Sequence, residues 1–202
     1  MSKKALIIID VQNDFCPGGA LAVPDGHLVV PVINELQESG KYEVIVATQD
    51  WHPEGHGSFA SSHEGKKPGD IVRLGGMPQI LWPDHCVQFS PGAEFVSALG
   101  TDKIQKIFQK GTDAGIDSYS GLYDNGHKKS TGLGEFLKEE DVTDVDIAGL
   151  ATDYCVKFTA LDTAKEGFKT SVVVGGCRGV NLVPSDVDAA LRAMRMAGVT
   201  LI

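Results

Sequence analysis

The sequence predicts an α/β fold in three layers, a six-stranded, mostly parallel sheet with helices on both faces. Three observations carry that expectation. Short runs rich in β-branched residues recur along the 202-residue chain. Several of them are apolar on both faces, as strands buried between helix layers must be. Amphipathic helical patterns alternate with them from end to end, which calls for crossover connections between parallel neighbours.

The first strand is expected at 5–9, an apolar run that follows Met-Ser-Lys-Lys and stops at Asp10. It is too short for the core of a signal peptide. A helix follows at about 27–39 and a second strand at 44–48. The connection 51–91 is long and rich in Gly, Pro and His, and loops of that length usually carry function. A short helix at about 92–98, a third strand at 104–108 and a second long connection, 111–131, come next. The remainder alternates: helix at about 132–140, strand 145–150, helix at about 153–166, strand 170–174, helix at about 185–197, strand 199–202. Gly40, Gly100, Gly167 and Gly198 stand just past helical patterns, where a left-handed cap costs glycine least. Ser185 and Asp188 have the form of a capping box. No repeat or linker interrupts the pattern, so one domain over 1–202 is expected.

Hydrophobic residues make up 42% and charged residues 22%, ordinary values for a soluble globular chain. A net charge of −9 argues against nucleic-acid or anionic-membrane partners, which need concentrated Lys and Arg. No segment approaches the ~20 apolar residues of a membrane span. Cys16, Cys86, Cys155 and Cys177 form no C-x-x-C pair, so neither a disulfide framework nor a thiolate zinc knuckle is signalled, and a cytoplasmic setting is expected. The sequence carries no signal for oligomeric state.

In an open parallel sheet the carboxyl ends of the strands share one edge, and ligands bind there. Asp10 follows the first strand, Asp50 and His52 the second, Lys110 the third and Cys155 the fourth. With Thr152 as cap, Cys155 falls near the third helical position, where the dipole favours a thiolate and a depressed pKa. Read alone, a cysteine there is more often a small buried apolar residue, and the rest of the chain is what favours the nucleophile. Asp10 ends a strand too apolar for an unpaired carboxylate, which suits a base near neutrality. Lys110 on the same rim would pair it. Asp50 and His52, at i and i+2, face the same way in extended chain, and His85 could join them as an open site of two imidazoles and a carboxylate. Such a set suits zinc, iron or manganese. His56 and His63 lie in the same loop and compete as ligands. Phe15, Trp51, Phe59, Trp82 and Tyr119 gather in the loops, as lids over a core or as walls for a flat, uncharged ring.

Six motifs occur in order: Asp10-Val-Gln-Asn-Asp-Phe-Cys-Pro-Gly-Gly, Gln49-Asp-Trp-His-Pro, Trp82-Pro-Asp-His-Cys, Lys110-Gly, Asp117-Ser-Tyr-Ser and Gly149-Leu-Ala-Thr-Asp-Tyr-Cys-Val. Through them nearly the whole chain resembles the nicotinamidases and pyrazinamidases of the isochorismatase-like cysteine hydrolases. The resemblance implies a catalytic triad of Asp10, Lys110 and Cys155, and one divalent ion, zinc first, on Asp50, His52 and His85. It implies a cis peptide at Leu150–Ala151 and an oxyanion hole from the backbone N–H groups of Ala151 and Cys155. It implies deamidation of nicotinamide through a cysteine thioester, in NAD salvage, with Phe15, Trp82 and Tyr119 about the ring. Some relatives add a metal ligand from the loop after the first histidine, for which His56 and Ser58 are available.

A C–N hydrolase acting on N-carbamoyl compounds is the nearest rival. Isochorismatases share the architecture but need no cysteine nucleophile. A noncatalytic nucleotide-binding module lacks its loop here, since there is no G-x-G-x-x-G after the first strand and no G-x-x-x-x-G-K-[ST].

Overall fold

The computed structural model describes residues 2–202. Strand β1 (Lys3–Ile9) alternates its side chains between two hydrophobic cores, Ala5, Ile7 and Ile9 on one face and Leu6 and Ile8 on the other. A strand buried on both faces needs a helix layer on each, and the chain supplies them. Helix α1 (Val29–Glu38) sets Val29, Val30 and Ile33 against the Leu6 face. Helices α2 (Leu133–Glu139), α3 (Lys157–Lys165) and α4 (Asp186–Met196) set Leu133, Leu137, Ala160 and Met194 against the other.

The remaining strands of the sheet are β2 (Val44–Asp50), β5 (Lys106–Lys110), β6 (Val142–Leu150), β7 (Lys169–Arg178) and β8 (Thr200–Leu201). Their order is β5-β2-β1-β6-β7-β8, and every pairing is parallel. The chain builds outward from β1 on one side, then returns to build from β6 on the other. The reversal lies beside β1, and a ligand crevice is expected outside the carboxyl ends of the strands at that point.

Gly149 makes the β1–β6 contact possible. A Cβ there would collide with the backbone of Ile9, and its φ of 133° is one that other residues rarely adopt.

Four local expectations are corrected. The stretch 92–98 is not a helix: after a single turn at Pro91–Ala93 the chain is extended over 94–96, because Phe95 bridges Gln12 and the Val96 N–H bonds Val11 O at 3.1 Å, and it turns again at 97–98. Tertiary pairing overrides local propensity, and Gly100 accordingly keeps an ordinary negative φ while Gly40, Gly167 and Gly198 take the left-handed one. The third strand is Lys106–Lys110 and not 104–108, since its register against β2 pairs Val46 with Lys106 and Asp50 with Lys110. The long connection contains an antiparallel hairpin, β3 (Ile71–Leu74) and β4 (Met77–Ile80), turning at Gly75-Gly76. Finally, Ser185 makes no side-chain cap, and the Val187 N–H of α4 goes to Asn181 Oδ1 at 3.0 Å instead.

No described helix is long and apolar enough to cross a membrane. The four cysteines are free thiols.

Candidate active site

Three strand ends and one turn assemble the centre. Asp50 and Lys110 are the last residues of β2 and β5 and stand in register with each other. Asp10 directly follows β1. Cys155 lies in a wide turn, Thr152–Val156, in which Val156 N–H reaches back to Ala151 O at 3.1 Å before α3 begins. The expected cap is therefore corrected: Ala151 holds that position and Thr152 makes no side-chain cap. The Leu150–Ala151 peptide is cis, as the resemblance implied.

Lys110 is the hub. The residue is 2% exposed, and its ammonium lies 2.9 Å from Asp10 Oδ2 and 3.3 Å from Cys155 Sγ, and donates to Ser118 O at 3.0 Å and to Asp50 Oδ1. Thr48 Oγ1 donates to Asp10 Oδ1 at 2.7 Å. Asp10 Oδ2 receives no well-aligned hydrogen bond among the described residues, and the sulfur lies within 4.8 Å of the carboxylate. The Asp10 carboxylate, with the ammonium at one oxygen and Thr48 at the other, is near enough to the sulfur to accept its proton.

The electrostatics put the resting proton on the thiol. Burial pushes the Cys155 thiol well above its ordinary value, with the Lys110 ammonium as the opposing influence. The depressed value expected from a helix N-terminus is thus overturned, because the sulfur is desolvated and faces two carboxylates. Burial also pushes Asp10 up, to about 6, against the pull of Lys110. For Asp50 burial raises, but Lys110, His52 and His85 outweigh it and hold the carboxyl below its usual range. Lys110 itself is held well above the ordinary lysine value by Asp10 and Asp50, despite burial.

The three expected ligands, Asp50, His52 and His85, converge as well. The chain stays extended past β2, so that His52 bridges Val87, with His52 N–H on Cys86 O at 3.0 Å. This pairing brings His85 beside His52 across more than thirty residues of sequence. Asp14 Oδ2 accepts the Cys86 N–H at 2.7 Å, and Gln12 clamps Asp50 by its own N–H and C=O, both at 2.8 Å. Sequence reasoning gave neither Gln12 nor Asp14 a role, although both lie inside the first motif.

His52 Nδ1 is bonded to Gly111 O at 2.9 Å and His85 Nδ1 to Pro83 O at 2.8 Å. With Nδ1 as the donor, each Nε2 carries a lone pair, the arrangement that metal-ligating histidines take. The two Nε2 atoms stand 3.8 and 4.0 Å from Asp50 Oδ2, too far for hydrogen bonds but all on one side of a small space. Burial and His52 push the His85 imidazole down to about 4, so it is neutral and able to ligate near pH 7. These residues fit a divalent ion. His56 does not join them, since its nitrogens are committed to Ser58 Oγ and Asp113 O, both at 2.8 Å. Ser58 is tied up in the same contact. His63 bonds Gly57 O at 2.8 Å.

A cavity adjoins both groups, lined by Phe15, Trp82 and Tyr119, with Ala151 and Cys155 in its wall. Trp82 Nε1 and Gln79 Nε2 both donate to Tyr119 Oη, at 3.1 and 2.9 Å, fixing the aromatic wall. Leu21, Asp117, Tyr154 and Val180 also line it and were not anticipated. Tyr154 packs edge-on to Trp82 at 4.9 Å, and its place next to the cysteine in sequence was the available signal. Trp51 and Phe59 lie outside this lining: Phe59 is fully buried edge-on to His52, and Trp51 packs on Phe89.

Comparison with known proteins places this geometry. The family model for the isochorismatase domain matches residues 4–202. A nicotinamidase of Escherichia coli strain K12 is 47% identical, over 100% of this chain and 95% of that protein. The solved nicotinamidase and pyrazinamidase of Acinetobacter baumannii superposes with a TM-score of 0.95 at 43% identity, over 100% of this chain and 96% of that one. The pyrazinamidase of Pyrococcus horikoshii, solved in complex with zinc, gives a TM-score of 0.79 at 38% identity, over 99% and 98%.

Proposed function

The chain belongs to the isochorismatase-domain family, and from that premise we propose that it is a nicotinamidase, hydrolysing nicotinamide, and pyrazinamide with it, to the free acid and ammonia. The observation that carries the reading is the position of Lys110, whose one ammonium touches Asp10, Asp50 and Cys155 together. A nucleophile and a ring-anchoring trio then share one aromatic-walled cavity.

Asp10, ionised near pH 7, takes the proton from Cys155 as sulfur attacks the carboxamide carbon. Lys110 stays charged beside the forming thiolate and steadies it. The backbone N–H groups of Ala151 and Cys155 are assigned to the tetrahedral oxyanion. Collapse breaks the C–N bond, the proton held by Asp10 goes to the leaving nitrogen, and ammonia departs from a thioester. Asp10 then deprotonates a water that attacks the thioester, and the acid leaves as the thiol regains its proton. Phe15, Trp82 and Tyr119 hold the ring and exclude water.

Asp50, His52 and His85 would hold a divalent ion, zinc first among the suited metals, which when bound supplies an electrophilic anchor for the ring nitrogen. The free thiols and the acidic surface fit a cytoplasmic enzyme of small-molecule NAD salvage with no nucleic-acid or membrane partner.

Ammonia release from nicotinamide and from pyrazinamide, with and without a chelator, tests the proposal. Turnover of both that declines on metal removal is expected. Absence of ammonia from either substrate in metal-replete enzyme would refute it.

A further inference from the structure

Asp117 faces the cavity and is 3% exposed, yet it has no counter-charge of its own. Its Oδ1 accepts the Ser118 N–H at 2.8 Å and its Oδ2 the Gln79 side-chain amide at 3.2 Å. Among the described residues it enters no ion pair. A buried carboxylate satisfied only by neutral donors is costly unless a cation completes its surroundings.

His52 of the trio lies beside this carboxylate. An oxygen of Asp117 and a ring nitrogen of each of His52 and His56 lie within 4.8 Å of one another. His56 is held on both nitrogens by Ser58 and Asp113, whereas His52 leaves Nε2 open. The charges of the pocket agree. Asp10 and Asp50 share the single ammonium of Lys110, and Asp117 in the same cavity wall pairs with no cation, so three carboxylates against one ammonium leave two negative charges, the charge of one divalent ion. Without Asp117 a dication would leave the buried pocket with a net positive charge.

We propose that Asp117 is a positioning residue for the divalent ion. It stands outside Asp50, His52 and His85, supplies the second negative charge that the ion neutralises, and is held in place by Gln79 of β4. The inference rests on the reading that the trio binds such an ion. Gln79 Nε2 also lies 2.9 Å from Tyr119 Oη and 2.8 Å from Ile80 O, three acceptors sharing two hydrogens, so the β3–β4 hairpin sets one amide between the carboxylate and the aromatic wall.

The test titrates Zn²⁺ into metal-stripped full-length protein by chelator competition, for wild type, Asp117→Asn, Gln79→Ala and His52→Ala, and follows thermal unfolding of the stripped and loaded forms. Asp117→Asn is expected to weaken zinc binding about 10–100-fold, the usual effect of losing an outer partner of a metal site. Its stripped form should unfold no earlier than wild type, so the stabilisation gained on loading shrinks. Gln79→Ala should move affinity the same way by less. Wild-type zinc affinity in Asp117→Asn overturns the proposal, as does an equal loss of stability in stripped and loaded forms with affinity unchanged. If wild type itself binds no zinc, the trio reading falls and this inference with it; if wild type binds and Asp117→Asn binds equally, only this inference falls.

Discussion

Replacing Lys110 by Met removes the ammonium and keeps most of the stem, leaving Asp10 and Asp50 buried without a cation. Breaking a buried pair by removing one partner costs about 3–5 kcal/mol. At about 2–4 °C per kcal/mol for a chain of this size, the melting temperature should fall by about 6–20 °C. The loss must also depend on pH. Asp10 is raised in the folded state, to about 6, so its contribution is full below the ordinary carboxylate value and is lost as pH rises through 6. Without Lys110, the leading influence that lowers it, Asp10 rises further and the folded variant takes up a proton that wild type does not. Asp50, depressed in wild type, contributes stability above the ordinary value that the variant forfeits. The deficit is therefore larger near pH 8 than near pH 5. Urea unfolding of metal-stripped protein at both values measures it. A deficit below about 1 kcal/mol, the scale of an exposed pair, or one equal at both pH values would refute the assignment of Lys110 as counter-ion to two buried carboxylates.

Four further outcomes are expected. Cys155→Ala should lower ammonia release by at least about 10⁴-fold with circular dichroism and zinc content unchanged. Because Asp10 must be ionised to take the thiol proton, kcat/KM should fall as pH drops below about 6, on a limb that stopped-flow or coupled assays would trace. His52→Ala should lose metal and raise KM for nicotinamide more than it lowers kcat, as removal of a ring anchor predicts. In Gly111→Ala the new methyl would run into the His52 ring at a backbone φ of 65°, displacing the carbonyl that orients the imidazole, so metal affinity should drop about 10–100-fold by competition titration.

The centre was legible because the sheet rule does the placing: chemistry at the carboxyl ends of parallel strands meets on one edge, and Asp10, Asp50, Lys110 and Cys155 each follow or end such a strand. Residue type offered His85 beside His56 and His63, and only the motif resemblance chose it, since the bridge of His52 to Val87 that delivers it has no local signature. The segment 92–98 was misjudged because helical spacing says nothing of the bridge from Phe95 to Gln12. The acidity of Cys155 was misjudged for a related reason. Sequence position gives the dipole, but burial, which here dominates, depends on how the β6 turn packs against Lys110 and Asp10. Asp117 opens the fifth motif, but its role, like that of Gln79, was hidden because one lies in a loop and the other in a hairpin that looked like a loop, and only their meeting gives either a role.

Asp50 divides its two oxygens, one toward the Lys110 ammonium and one toward the imidazoles of His52 and His85. It is therefore a shared wall between two rooms, and neither room can be remodelled there without disturbing the other. A substitution meant to empty the cation site would also unbalance the nucleophile, so Asp50 variants cannot serve as clean probes of either. A descendant of this fold that abandoned both imidazoles would still be obliged to keep a carboxylate at this strand end, for the sake of the lysine opposite.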